Sequence, residues 1–110
     1  MNTYQEAQLP LDALGDATRR AIVDRLRKRG PMPVGELARE FPISRPAVSQ
    51  HLAVLKSAGL VIDRAEGTRR VYELDSAGFD SLRAYFDQFW GEALSAFKAR
   101  VERSSNRRKR

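Results

Sequence analysis

The chain has 110 residues, 42% of them hydrophobic, and no cysteine, which suits one domain with a modest core and excludes disulfides, thiolate metal sites and cysteine nucleophiles. Its formal net charge of +6 is unevenly placed: three acids and no base in residues 1–16, twelve bases and five acids in 17–70, one base and five acids in 71–97, seven bases and one acid in 98–110. A basic segment bracketed by acidic ones is better explained by a face that meets a polyanion than by general solubility.

Residues 1–8 read as a flexible lead-in, 9–102 as one folded domain and 103–110 as a basic, disordered tail without an apolar residue. Leu9 to Leu14 forms a short first helix with Pro10 in its first turn, ended by Gly15. Asp16 caps a second helix, Ala17 to Arg29, whose buried stripe is Ala21, Ile22, Val23 and Leu26. Gly30-Pro31-Met32-Pro33 stops it. A third helix, Val34 to Phe41, buries Val34, Leu37, Ala38 and Phe41, and Pro42-Ile43 turns the chain sharply.

The next segment, Ser44 to Gly59, is marked at both ends, by a capping serine and by a glycine free to adopt a left-handed conformation. At about 100° per residue, Val48, Leu52 and Leu55 share one face, while Pro46, Ser49, Gln50 and Ala53 share the opposite one. The outward face is thus short and hydrogen-bonding where a merely solvated helix would carry Lys and Glu. Short side chains permit close approach to a major groove, an amide can read base edges, and Arg45 and Lys56 at the margins suit phosphates. Two short helices across so tight a turn, with small Ala38, turn hydrophobe Ile43 and inward Val48, make a helix-turn-helix.

Leu60 to Arg64 and Arg69 to Leu74 read as strands of a hairpin joined at Ala65 to Thr68, a wing beside the recognition helix. A long amphipathic helix, Ser76 to Arg103, closes the domain, with Phe79, Leu82, Phe86, Phe89, Trp90, Ala93, Leu94, Phe97 and Val101 at three- and four-residue steps. Phe79 and Leu82 can roof the domain's own core, but so small a domain cannot cover the rest, so Leu9, Leu11, Leu14, Phe86, Phe89, Trp90, Ala93, Leu94, Phe97 and Val101 are expected to form a symmetric dimer interface. The fold class expected is therefore mainly α with a small β-hairpin wing, a winged helix-turn-helix dimerising through its first and last helices.

Catalytic constellations are missing. There is no glycine-rich phosphate loop, and Ser49 and His51, two apart on a helix, diverge. His51 is the only histidine, and a metal site needs several ligands, so the imidazole is expected to pack or to touch a phosphate. No metal and no other cofactor is expected.

With these pieces assembled, the chain from about Leu11 to Tyr85 resembles the ArsR family of bacterial winged helix-turn-helix repressors. Leu14-Gly15-Asp16-Ala17-Thr18-Arg19-Arg20-Ala21-Ile22 is similar to the family's opening signature, and Val34-Gly35-Glu36-Leu37-Ala38 to its third helix. Ser44 to Leu55, followed by Ala58-Gly59-Leu60-Val61, is similar to its recognition helix and the start of its wing. The resemblance implies homodimers on palindromic operators that repress transcription, often of their own operon. Many members sense metals or arsenite through cysteines on the third helix, or through His and carboxylates on the last. Here the third helix has no thiol and the last no imidazole, so the chain resembles the metal-independent branch.

The expected partners are double-stranded DNA and a second copy of the chain, without a membrane, in the cytoplasm at the nucleoid. Ser44, Arg45, Ser49 and Gln50 are the candidate base contacts. Arg20, Pro46, His51, Lys56, Arg64, Thr68, Arg69 and Arg70 are the candidate backbone contacts. Two other readings are a winged-helix protein-interaction module and a repressor that holds a small-molecule inducer between Tyr85, Phe86 and Trp90.

Overall fold

A computed structural model describes residues 3–108, with side-chain surroundings through Asn106. The elements are α1 (Thr3–Ala13), α2 (Ala17–Arg29), β1 (Met32–Pro33), α3 (Val34–Ala38), α4 (Arg45–Ser57), β2 (Val61–Glu66), β3 (Arg69–Leu74) and α5 (Ser76–Arg108). The architecture is a winged helix-turn-helix, mainly helical with one three-stranded antiparallel sheet in the order β1-β3-β2.

Local chemistry sets most boundaries. The Asp16 carboxylate accepts the Arg19 amide at 3.0 Å to start α2, and the Ser44 hydroxyl accepts the Ala47 amide at 3.2 Å to start α4. At the far end of α4, Gly59 has φ +73, its amide donates to the Lys56 carbonyl at 3.0 Å, and the Leu60 amide donates to the Leu55 carbonyl at 2.9 Å. That pair of bonds satisfies the last carbonyls and turns the chain into the wing. Ile22, Leu37, Val48, Leu52, Leu55 and Leu60 are fully buried and join α2, α3, α4 and the sheet in one core.

The structure departs from the sequence expectations in several places. Residues 3–8, expected to be a flexible lead-in, belong to α1, because this first helix packs along α5: Ala7 is fully buried and the Tyr4 and Tyr85 rings lie 5.7 Å apart. Pro10 consequently sits inside the helix, buried, where its missing amide leaves one carbonyl without its usual donor. Met1 and Asn2 lie outside the described residues.

The expected disordered tail is helical through Arg108, and Lys109 and Arg110 lie outside the described residues. Residues from 103 onward extend a helix already nucleated by α5, so each added residue gains a backbone hydrogen bond without a new nucleation cost. The third helix stops at Ala38, three residues early, before a turn in which the Arg39, Glu40 and Phe41 amides bond carbonyls three residues back. Ala21 is exposed, since the buried face of α2 is spanned by Ile22 and Leu26 with Val23 packed partly against them, and Ile43 is 37% exposed at the tip of the turn. Met32 and Pro33 form an extra edge strand, paired with Tyr72 and Val71. Two residues give no periodicity, and Pro33 suits an edge because it has no amide to donate.

Candidate nucleic-acid interface

The outward face of α4 is as the spacing predicts: Pro46, Ser49, Gln50 and Ala53 are exposed, opposite buried Val48, Leu52 and Leu55. Among the described residues, neither Ser49 nor Gln50 makes a side-chain hydrogen bond within the chain, so both are available to a ligand. The Ser44 hydroxyl is instead engaged in the cap, which leaves its oxygen only partly available.

Arg45, exposed at the first helical position of α4, reaches back to α3, with its guanidinium near Gly35. Arg45, Arg39, Arg69 and Arg70 line one open cleft of about 260 Å³ together with Thr68, Glu36 and the start of α3. Recognition helix, turn and wing tip thus share a cationic groove at the end of the domain that α4 presents. Arg39 was missed in the sequence; its signal, a base one turn before the recognition helix, emerges only once α3 is known to end at Ala38.

The wing cations are less free than their charge suggests. Arg64 pairs with Glu73 at 2.8 Å and Glu66 at 3.6 Å; Arg69 pairs with Glu36 at 3.7 Å and Glu66 at 3.9 Å. Lys56 and Arg70 both bind Asp63, at 2.8 and 3.4 Å. Among the described residues, Arg39 and Arg45 make no ion pair. Strand alternation turns Asp63 toward the helix, where its side chain is only 11% exposed. The hydrogen bond from the Lys56 ammonium holds its carboxyl below the usual carboxylate range; burial works in the opposite direction, and the Lys56 and Arg70 charges add to the lowering.

A group with a depressed folded-state pKa stabilises the fold above its unfolded pKa and loses that contribution as pH falls through the folded value. Asp63→Asn is therefore expected to destabilise the wing by about 1 kcal/mol at pH 7. The gap between variant and parent should narrow as pH falls below the ordinary aspartate value of 3.8 and through the lower folded value. Thermal melts at pH 7, 5 and 3 check this, and an unchanging gap would show that the carboxylate charge is not what ties β2 to α4.

Two further predicted contacts are tied to the loop between α1 and α2. The Arg20 guanidinium donates to the Leu14 carbonyl at 2.7 Å while remaining on the surface. His51 is half-buried, and its Nδ1 lies 3.4 Å from an Arg19 guanidinium nitrogen. Arg19 also donates to the carbonyl of Ala13 at 2.6 Å and fastens the end of α1 against the recognition helix. The expected dimer residues divide. Leu11 and Leu14 pack partly against the core, whereas Leu9, Phe86, Phe89, Trp90, Leu94, Phe97 and Val101 are 45–64% exposed, and Ala93 is exposed. Of the expected inducer-binding trio, Tyr85 alone lines the cleft between α1 and α5, alongside Tyr4 and Phe89.

Among the described residues no helix is long and apolar enough to cross a membrane, and no group of three His, Asp or Glu could hold a metal ion. A helix-turn-helix with an exposed, uncharged recognition face, a wing and a cationic groove defines a winged helix-turn-helix DNA-binding transcriptional regulator. A helix-turn-helix domain family matches residues 14–64. The chain is 55% identical over 102 residues to the HTH-type transcriptional regulator Rv2034 of Mycobacterium tuberculosis, covering 93% of this chain and 94% of the relative. It is 42% identical over 64 residues to the transcriptional repressor SdpR of Bacillus subtilis, covering 58% of this chain and 70% of that protein. It also resembles, with TM-score 0.62, 31% identity and 80% of each chain covered, the solution structure of a homodimeric winged helix-turn-helix DNA-binding domain from Mycobacterium bovis, a possible ArsR-family regulator. This chain belongs to the ArsR family of transcriptional regulators.

Proposed function

We propose that the protein is a cytoplasmic repressor that binds a palindromic operator as a homodimer and does so without a metal. The observation that carries this reading is the outward face of α4, where Ser49 and Gln50 stand exposed and uncommitted on the helix whose first residue, Arg45, lines the cationic groove. Two such helices related by a dyad would enter successive major grooves about 34 Å apart. Gln50 reads a base, because its amide can pair bidentately with adenine; Ser49 and the start of the helix at Ser44 and Arg45 contribute further groove contacts. Arg20, Pro46, His51, Lys56, Arg64, Thr68, Arg69 and Arg70 lie along the phosphate path.

Repression is supported by the likeness to a named repressor, and dimerisation by the likeness to a homodimeric domain. Independence of metal is supported by the donor set. Without a thiol and with a single imidazole already engaged by Arg19, the chain offers carboxylates alone, which make poor transition-metal sites. The exposed apolar residues of α1 and α5 form the dimer contact.

Fluorescence anisotropy on duplex from upstream of its own gene, with unrelated duplex as competitor, tests the reading. Two chains per site and a preference of about 10³-fold or more are expected, unchanged by chelator or added zinc. Equal binding to both duplexes would reduce the basic segments to an electrostatic adhesive and favour a protein-interaction module. Gln50→Ala is expected to lower the preference by about tenfold while leaving unrelated duplex bound as before. Equal weakening on both duplexes would remove Gln50 from base reading.

A further inference from the structure

Among the described residues, Asp63 is the carboxylate that joins the recognition helix to the wing. Its Oδ1 takes the Lys56 ammonium, in the last turn of α4, at 2.8 Å, and its Oδ2 takes the Arg70 Nε, on β3, at 3.4 Å. Strand register produces this arrangement. Asp63 stands opposite Tyr72, so Arg70, two residues along β3, is its diagonal neighbour on the same face, within reach of a long side chain. The acid is largely buried, whereas both cations are more than half exposed. A sunken carboxylate thus holds two surface cations by one bond each.

Little else fixes the wing against the helices through side-chain charge. Arg69 and Glu36 meet at 3.7 Å, but both are more than half exposed, and such pairs contribute little in water. The tip of the hairpin is clear of its surroundings, since a Cβ on Gly67 would meet nothing within 4 Å. Arg64 is held by Glu73 and Glu66, which belong to the hairpin itself.

Both cations keep donors in reserve. Arg70 meets Asp63 through Nε, the inner nitrogen of a fork that carries five N–H donors, and an ammonium has three. Arg70 also lines the groove shared by Arg39 and Arg45. A phosphate presented at those remaining donors can be bound with the Asp63 contacts intact. A phosphate elsewhere has to draw the cation away and leave a largely buried carboxylate with one partner fewer, which is costly.

We propose that Asp63 is a specificity-determining positioning residue, which sets the wing against the recognition helix and withholds Lys56 and Arg70 from phosphates that are out of register. The proposal rests on the operator-binding reading above and adds to it the residue that suppresses binding elsewhere. Affinity for unrelated duplex depends on how many cations are free to move to a phosphate. Affinity for the operator depends on helix and wing fitting together, and a wing ordered beforehand has less freedom to lose on binding.

Asp63→Asn is therefore expected to act with opposite signs in anisotropy titrations. Unrelated duplex should bind about threefold to tenfold more tightly, with a slope of log affinity against log salt steeper by about one, while duplex from upstream of the gene should bind about threefold less tightly. A purely structural role would weaken both. Asp63→Glu, which keeps the charge, should hold unrelated duplex as weakly as the parent. Glu73→Gln removes the same charge from the hairpin without touching α4, and it should tighten both duplexes alike.

An Asp63→Asn protein whose preference stays within twofold of the parent's would overturn the proposal. So would a Glu73→Gln protein that loses as much preference, because net charge would then be the cause, or an Asp63→Glu protein that binds unrelated duplex as tightly as Asp63→Asn does. A parent protein without preference for the upstream duplex would overturn the operator reading itself. The affinity and salt slope on unrelated duplex would still decide whether Asp63 withholds the two cations.

Discussion

Gly78→Ala is expected to destabilise the protein by about 2–3 kcal/mol and to lower its melting temperature by roughly 10 °C. Gly78 sits in the first turn of α5, where that helix lands on the end of the recognition helix. Its amide donates to the Gly59 carbonyl at 2.7 Å. A Cβ there would stand 2.6 Å from the Ala58 carbonyl oxygen and 2.8 Å from that of Gly59, both backbone atoms that cannot swing aside. At Gly59, whose φ is +73, an added Cβ would in turn stand 3.2 Å from the Gly78 nitrogen. Adding one methyl group is therefore expected to lift α5 off the end of α4 and disturb that helix. Gly91→Ala provides the comparison, because that position on the same helix has nothing within 4 Å of a new Cβ. It should stabilise the protein by about 0.5–1 kcal/mol through helix propensity alone. Urea unfolding of the two variants checks both signs. Similar small changes in both would mean that the α4–α5 junction can relax without loss.

Why some of this was legible in the sequence and some was not follows from the range of each interaction. Asp16, Ser44 and Gly59 act on amides and carbonyls three to five residues away, so the limits of α2 and α4 are written locally. The faces of α4 follow from periodicity alone, and Val48, Leu52 and Leu55 are buried as their spacing requires. What escaped depends on distant partners. The start of α1 at Thr3 is stabilised by Tyr85, some eighty residues away in sequence, and β1 exists because Tyr72 and Val71 pass beside it. Asp63 looks like a hairpin acid until the strand register turns it toward Lys56 and Arg70. Arg19 and Arg20 could not be told apart by composition. One fastens α1 to His51 and the other lies on the surface, a distinction set by their 100° separation on α2.

That separation between the charge a sequence contains and the charge a surface can offer yields the second large expected effect. Counting bases would make Arg64, Arg69 and Arg70 the principal phosphate contacts. In the structure each faces a carboxylate within 4 Å, and a phosphate must first compete with that partner. Arg39 and Arg45 face none within the described residues, and they share the groove between α3, α4 and the wing. A charge-assisted bond from each is worth roughly 1.5–3 kcal/mol. The double variant Arg39→Ala, Arg45→Ala is therefore expected to weaken binding to any duplex by about 10²- to 10⁴-fold at physiological salt. It should also lower the slope of log affinity against log salt by nearly two, because two fewer counterions are released. Arg64→Ala, which removes a cation held by Glu73 at 2.8 Å, should weaken binding less than threefold. Titrations at four salt concentrations separate the two cases. If Arg64→Ala lost as much affinity per cation as the double variant, the wing carboxylates would be yielding their arginines to DNA. The number of bases near the groove, irrespective of their partners, would then set the affinity.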